Sequence, residues 1–167
     1  MTSSMIQLGI TKKKTNKNMV KIAILGADRV GKSSFIKFHG LEAYHFEAPK
    51  PTDLYWFSQY EQAKNFDYTD RGPLEAGFYR PIPDVYIKDY IESSPIWNKT
   101  HFIIIHKNWG VELEARHIEE LAQQEPNARR WWTDSMIAKR KSEHFAYYKY
   151  ITRLADYCDV SYEILDS

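Results

Sequence analysis

Short apolar runs alternate with longer amphipathic segments along this chain of 167 residues. Val20–Leu25 and Phe102–His106 carry apolar side chains at most positions, a pattern typical of strands buried on both faces of a parallel sheet. Three shorter runs predict further strands at Tyr44–Glu47, Phe66–Thr69 and Val160–Leu165. Helical patterns fall between the runs, at residues 31–38, 53–64, 84–92, 112–124 and 142–157. This alternation predicts an α/β fold of three layers, with a five-stranded parallel sheet and helices on both faces.

The composition narrows the class of protein without indicating its chemistry. The length suits one domain, and a net charge of +1 supplies no long-range field that would recruit nucleic acid or a membrane surface. Cys158 is the single cysteine, so we expect neither a disulfide framework nor a cysteine-based zinc site, and a reducing, cytoplasmic location fits. No apolar run approaches the length of a membrane span. Residues 1–18 are polar and predict a flexible N-terminal extension ahead of one domain at residues 19–167.

The stretch after the first predicted strand carries recognisable chemistry. Gly26–Ser33 reads Gly-Ala-Asp-Arg-Val-Gly-Lys-Ser, the G-x-x-x-x-G-K-[ST] pattern of a phosphate-binding loop. Gly26 and Gly31 permit a tight turn in which backbone N–H groups approach phosphate oxygens, while Lys32 reaches the β- and γ-phosphates and the Ser33 hydroxyl binds Mg²⁺. The pattern and its strand–helix context predict a P-loop NTPase fold. The residues expected to bind the nucleotide are Gly26, Asp28, Val30, Gly31, Lys32, Ser33 and Ser34.

Two classes that share this loop are a small GTPase and a module that binds nucleotide without turnover. The loop looks much like that of a Ras-type GTPase, but such proteins need a D-x-x-G motif after the third strand. Here Asp67 is followed three positions later by Asp70, and Asp70 by Pro73. The Asn98-Lys99 pair precedes a predicted strand and lacks the aspartate of N-K-x-D, which would bind guanine. The non-catalytic module shares the loop and stays open as an alternative.

Two Asp-Arg pairs point to a third class. Asp28-Arg29 lies inside the loop, and Asp70-Arg71 follows the third predicted strand. Both pairs are similar to motifs of the thymidylate kinase and deoxynucleoside kinase superfamily of P-loop nucleotide kinases, and the wider segment Asp70–Glu75 looks like that of phage-type members. The resemblance implies ATP and Mg²⁺ as cofactors.

Two further segments extend the resemblance over nearly all of residues 19–167, in the expected order. Glu47-Ala48-Pro49 lies where these kinases carry Glu-Pro. Residues 139–143 and the helix after them resemble the lid and its following helix, so we expect a lid near residues 127–141. Thymidylate kinases follow Glu-Pro with a Gly-Gly-Thr segment, which residues 50–52, Lys-Pro-Thr, replace here. This departure leaves the identity of the acceptor open.

Phosphoryl transfer needs cations from several directions, because negative charge spreads over the transferring group. Lys32 and Arg29 supply two from the loop, and the resemblance implies that Arg71 binds the acceptor's phosphate or its 5′ oxygen. Arg140, in the basic lid segment, is expected to act on the phosphates after closure. Each arginine has a plainer interpretation, as a loop charge, an ion-pair partner or part of a solvated helix face.

Three carboxylates accompany these cations. The resemblance implies that Asp28 contacts the sugar 3′-hydroxyl, although it also suits an orienting role beside Arg29. Glu47 and Asp70 follow strands, at the edge where such sheets bind ligands, and either one suits a proton acceptor or an organiser of Mg²⁺ through water. Each of these acids also suits a cap or an ion pair.

Aromatic residues offer candidates for base stacking and for assembly. Trp56, Phe57, Phe78 and Tyr79 suit a stack on the acceptor base, but core packing explains each of them as well. The pair at residues 131–132, Trp-Trp, suits a lid anchor or the contact of a homodimer.

We therefore expect ATP-dependent phosphoryl transfer to a deoxynucleoside monophosphate, with a dTMP-like acceptor implied by the resemblance. A deoxynucleoside kinase, a GTPase-like protein and a non-catalytic nucleotide-binding protein remain the alternatives. The expected partner is a small nucleotide rather than a nucleic acid or a membrane. The residues expected to take part in the transfer are Lys32, Arg29, Arg71, Asp70, Glu47 and Arg140, with Ser33 and, through water, Asp70 at Mg²⁺.

Overall fold

A six-stranded sheet forms the centre of the protein. The computed structural model describes residues 9–14, 19–46 and 55–166. The strands are β1 Gly9–Lys14, β2 Lys21–Gly26, β3 Ala43–His45, β4 Tyr68–Asp70, β5 Thr100–His106 and β6 Ser161–Asp166. They lie in the order β1-β6-β5-β2-β4-β3, and β2 to β6 are parallel to one another. The predicted three-layer α/β fold with five parallel strands is confirmed.

Strand β1 adds a sixth, antiparallel member that the hydropathy pattern does not indicate. It pairs with β6, and Gly9 lies opposite Asp166. The sequence analysis assigns these residues to the polar extension, and the structure describes residues 9–14 as a strand. Three consecutive lysines in β1 are typical of an edge strand, where charge discourages pairing with another chain.

Six α-helices connect the strands within the described residues. They are α1 Lys32–Phe38, α2 Ser58–Ala63, α3 Ala76–Tyr79, α4 Asp84–Ser93, α5 Val111–Gln124 and α6 Arg130–Tyr157. Short 3₁₀ helices lie at Pro73–Glu75 and Trp97–Lys99, and Pro73 occupies a first-turn position, which suits its missing N–H. The basic segment and the helix predicted after it form one uninterrupted helix of 28 residues, α6. No described helix is both long enough and apolar enough to cross a bilayer.

The strand order places a cleft above the end of β2. From β2 the chain passes through α1 to β3 on one side of the sheet, and from β5 it passes through α5 and α6 to β6 on the other side. Such a reversal opens a crevice at the carboxyl ends of the strands, where α/β sheets bind ligands. Strands β2 and β5 are almost wholly buried, so this edge rests on a rigid support.

Candidate functional site

The loop between β2 and α1 has a backbone that two glycines make possible. Gly31 has φ of 100°, in the left-handed region that favours glycine. A Cβ on Gly26 would lie 2.9 Å from Val30 Cγ2 and 3.1 Å from the carbonyl oxygen of Ile105. Arg29 has φ of 66°, which is uncommon for a residue with a side chain. The tight turn expected from the sequence is therefore present, with additional backbone strain at Arg29.

Lys32 reaches the end of β4 from the first turn of α1. Its Nζ lies 2.5 Å from Asp70 Oδ1. The other carboxylate oxygen, Oδ2, lies 2.9 Å from Nδ1 of His45 at the end of β3. Two strand ends and the loop thus meet at one carboxylate, and a phosphate that approaches Lys32 competes with Asp70 for the ammonium group.

An open cleft of about 610 Å³ surrounds this pair and contains most of the predicted site residues. Ser33 and Ser34 line it in exposed positions beside Lys32. The complete lining is Ala27, Asp28, Arg29, Gly31, Lys32, Ser33, Ser34, Asp70, Arg71, Arg116 and Glu120. Of the predicted residues, Glu47 lies outside the described part of the chain.

One cluster at the cleft, which we call the Arg71 edge, consists of Arg71, which lines the cleft, and of Glu75, Tyr79 and Tyr147 behind it. Arg71 Nη1 donates to Glu75 Oε2 at 2.9 Å and to the hydroxyl of Tyr79 at 3.0 Å. The guanidinium also lies over the Tyr79 ring, 5.2 Å from its centroid. Tyr147 donates to the same Glu75 oxygen at 2.6 Å. Arg71 itself has φ of 107°, so a strained backbone carries the guanidinium.

Glu75, the acid of the Arg71 edge, is almost completely buried. Its side chain is 1% exposed, and burial raises the pKa of its carboxyl although Arg71 and Lys32 act in the opposite direction. Arg71 is 30% exposed and Asp28 75% exposed, and Arg71 Nη2 lies 3.8 Å from Asp28 Oδ1. The guanidinium is therefore held from the buried side by Glu75, while its other amino group is directed towards the cleft.

A second cluster, which we call the Glu120 edge, consists of Arg29, Arg116 and Glu120, which line the cleft, and of Arg140, which pairs with Glu120. Glu120 Oε2 pairs with Arg29, and Oε1 accepts from Arg140 Nη1 at 2.6 Å. Arg116 donates to the backbone carbonyl of Arg29 at 3.0 Å and to Glu112 at 2.7 Å. Two arginines expected at the phosphates thus share a single carboxylate of α5.

The remaining cations of the predicted lid segment lie away from the cleft. Lys139 and Lys141 are exposed, as are Arg129 and Arg130 at the start of α6. Lys139 Nζ lies 3.9 Å from Glu143, and Arg130 Nε lies 3.8 Å from Asp134. These residues belong to a solvated helix face, whereas Arg140 alone of this basic set forms a described ion pair at the cleft margin.

The four aromatic candidates for base stacking separate into two pairs. Trp56 and Phe57 pack with Tyr60 and Tyr90, and the Phe57 and Tyr90 rings stack at 5.2 Å. These ring contacts agree with the alternative given in the sequence analysis, in which Trp56 and Phe57 pack against other aromatic residues and do not stack on a base. Phe78 and Tyr79 instead line a smaller cavity of about 50 Å³ beside the loop, together with Ala27, Asp28, His117, Arg140, Glu143, His144 and Tyr147.

Two buried histidines adjoin this smaller cavity. Arg140 Nη1 lies 3.1 Å from His117 Nδ1, so Nδ1 accepts and the hydrogen of a neutral ring is on Nε2. His144 Nε2 donates to the Lys107 carbonyl at 2.8 Å. Burial lowers the pKa of both rings, and the charge of Arg140 lowers that of His117 further. Both are therefore uncharged at neutral pH.

The cleft offers oxygen ligands that suit Mg²⁺, but the described residues do not form a complete coordination shell. Among residues 9–14, 19–46 and 55–166 no group of three or more histidine, cysteine or acidic side chains is arranged to hold a metal ion. Mg²⁺ usually takes one or two protein oxygens and completes its shell with substrate phosphates and water. The Ser33 hydroxyl and the Asp70 carboxylate are oxygen donors of this kind at the same cleft, so they fit such an ion.

Sequence reasoning missed the acids that orient the arginines. Glu75 follows Arg71 by four positions, and this spacing was the available signal for an ion pair on one helical turn. Glu120 and Tyr147 carry no such signal, because they meet their partners through tertiary packing.

Searches against protein-family models, curated proteins and solved structures find no match for this chain.

Proposed function

We propose that this protein transfers the γ-phosphoryl group of ATP to a deoxynucleoside monophosphate. The observation that carries the proposal is the convergence of Lys32, Asp70 and Arg71 at a cleft formed by a phosphate-binding loop. Phosphoryl transfer depends mainly on positioning and on neutralising charge, and this cleft presents cations from three directions. The Asp-Arg pairs of the sequence support a nucleotide kinase over a GTPase.

The residues divide between the two substrates. Lys32 leaves Asp70 for the β- and γ-phosphates of ATP, and Arg29 and Arg140 approach the same phosphates from the Glu120 edge. Arg71 binds the phosphate of the acceptor, and Asp28, which lies between the two, adjoins its sugar. Ser33 and, through water, Asp70 would hold a Mg²⁺ ion, which would supply further neutralisation of phosphate charge.

The acceptor class is tested by incubation with ATP, Mg²⁺ and a panel of nucleosides and their monophosphates, with separation of the products by chromatography. We expect a deoxynucleoside monophosphate to gain phosphate. A nucleoside that gains phosphate instead indicates a deoxynucleoside kinase. Bound nucleotide with no phosphorylated acceptor indicates a non-catalytic module, and a larger thermal shift with GTP than with ATP indicates a GTPase-like protein.

Replacement of Lys32 tests the loop directly. Lys32→Ala removes a charge that stabilises the transferring group, so we expect turnover to fall by about 10²- to 10³-fold or more while the circular dichroism spectrum stays that of the folded protein. Lys37→Ala is the matched control, because Lys37 is exposed in the last turn of the same helix. A Lys32→Ala variant with full activity would refute the assignment of the loop.

A further inference from the structure

Arg71 lines the cleft and has a backbone conformation that residues with a side chain rarely adopt. A φ of 107° is unfavourable for a non-glycine residue, so other contacts must maintain it. The backbone N–H of Arg71 donates to the carbonyl of Ile24 at 3.0 Å, and the side chain is fixed by Glu75 and Tyr79. The strained residue is thus fixed at both its backbone and its guanidinium.

Glu75 is suited to hold a guanidinium and unsuited to meet a ligand. It is 1% exposed, and one carboxylate oxygen accepts from both Arg71 and Tyr147. The other oxygen, Oε1, accepts no hydrogen bond from the described residues. A buried acid with one unsatisfied oxygen is costly, and such groups persist where they orient a functional neighbour.

We propose that Glu75 is the positioning residue of Arg71. Glu75 fixes Nη1 on the buried side, so that Nη2, on the side of Asp28 and the cleft, is presented to a phosphate monoester. Tyr147 holds the Glu75 carboxylate in turn, and Tyr79 supports the guanidinium by a hydrogen bond and by its ring. The inference rests on the proposed function for the identity of the monoester, which is the phosphate of the acceptor.

Three variants remove one contact each without removing Arg71. Tyr79→Phe deletes the hydroxyl that Arg71 donates to, and we expect this variant to fold because Tyr79 is exposed. Tyr147→Phe keeps the ring and removes the hydrogen bond to Glu75, while Glu75→Gln keeps the shape and removes the charge. Tyr86→Phe, at an exposed tyrosine of α4, is the matched control.

The measurement is equilibrium binding of dTMP and, separately, of ATP, followed by tryptophan fluorescence, with steady-state KM values for both. We expect Glu75→Gln to weaken dTMP about tenfold, the size of one hydrogen bond to a charged group, and to change ATP affinity less than twofold. Tyr79→Phe and Tyr147→Phe should each weaken dTMP about three- to fivefold. Tyr86→Phe should change neither affinity.

The outcomes separate this inference from the proposed function. Equal losses of dTMP and ATP affinity, or unchanged dTMP affinity in all three variants, would overturn the positioning role while the kinase proposal stands. If the variants lose dTMP affinity selectively but the wild-type protein phosphorylates no acceptor, the positioning role is supported and the kinase proposal is overturned. A wild-type protein that binds ATP but no monophosphate would overturn both.

Discussion

The two edges of the cleft pair arginine with carboxylate in opposite solvent environments. At the Arg71 edge the acid, Glu75, is buried behind the arginine that it holds. At the Glu120 edge the acid lies in the cleft wall, is 17% exposed, and is shared by two arginines. A buried pair fixes one geometry because breaking it leaves an uncompensated charge, whereas a pair at the margin exchanges readily with another anion. The geometry of the Arg71 edge therefore suits orientation of one arginine, and that of the Glu120 edge suits exchange with another anion.

The largest expected difference between the edges is in stability. Glu75→Ala leaves Arg71 and the Tyr147 hydroxyl without their buried partner, and we expect a loss of about 3–5 kcal/mol in the free energy of unfolding. Glu120→Ala should cost less, because Glu120 itself is 17% exposed and its partner Arg29 is 51% exposed. Urea unfolding followed by circular dichroism measures both values. Equal losses would contradict the distinction between a fixed and an exchangeable pair.

The next difference is in substrate affinity. Arg71→Ala should raise the KM for the monophosphate about tenfold to a hundredfold and leave the KM for ATP nearly unchanged, since it removes charge-assisted hydrogen bonds to one substrate only. Arg140→Ala should show the reverse preference. Lys139→Ala, one position away and exposed, is the control and should alter neither KM. If Arg71→Ala changes only the KM for ATP, the two edges are assigned to the wrong substrates.

A smaller effect concerns the exchangeable carboxylate. Glu120→Gln removes the anion that competes with phosphate for Arg29 and Arg140, so we expect pyrophosphate to bind about two- to fivefold more tightly at low salt. The gain should shrink as the ionic strength rises. Calorimetric titration at two salt concentrations measures both quantities. Weaker binding would show instead that Glu120 orients the arginines, as Glu75 does at the other edge.

The smallest effect concerns pH and arises beside the Glu120 edge. The folded protein holds His117 and His144 with pKa values below the ordinary 6.5, so the unfolded chain binds more protons in the window from about 6.5 downward. Their contribution to stability is complete above pH 6.5 and declines as the pH falls towards the lowered values. His144→Gln should flatten this decline in urea unfolding between pH 5 and 7.5. An unchanged slope would assign the acid sensitivity to other groups.

Most of the fold could be predicted from the chain because its parallel strands are nearly continuous apolar runs. The prediction for β2 differs by one residue at each end, and that for β5 by two residues at its start. Strand β1 escaped prediction because a lysine-rich edge strand has no apolar pattern to detect. The sequence analysis also did not predict that the basic segment and the helix after it form one continuous helix. A lid and a solvated helix face carry the same basic residues, so the charges could not distinguish the two.

The site was predictable where chemistry depends on local spacing. Gly26, Gly31 and Lys32 are determined by a motif within one turn, and Asp70 and Arg71 follow a strand that ends at the same edge of the sheet. Glu75 and Tyr147 are 72 positions apart in the chain and meet only after the helices pack. The hydrophobic periodicity of a single sequence does not indicate which residues so far apart come into contact. The partners of the arginines, rather than the arginines, were therefore the missing part.

Helix α6 contacts both edges of the cleft and the phosphate-binding loop. It spans 28 residues, a rod of about 42 Å, with no proline or glycine at which to bend. Arg140 reaches one edge, Tyr147 reaches the other, and the Tyr148 hydroxyl accepts from the Ala27 N–H of the loop at 3.3 Å. A stiff lever cannot swing at one end alone, so any pivot that moves Arg140 towards a substrate also shifts the two tyrosines. The two edges of the cleft would then move together.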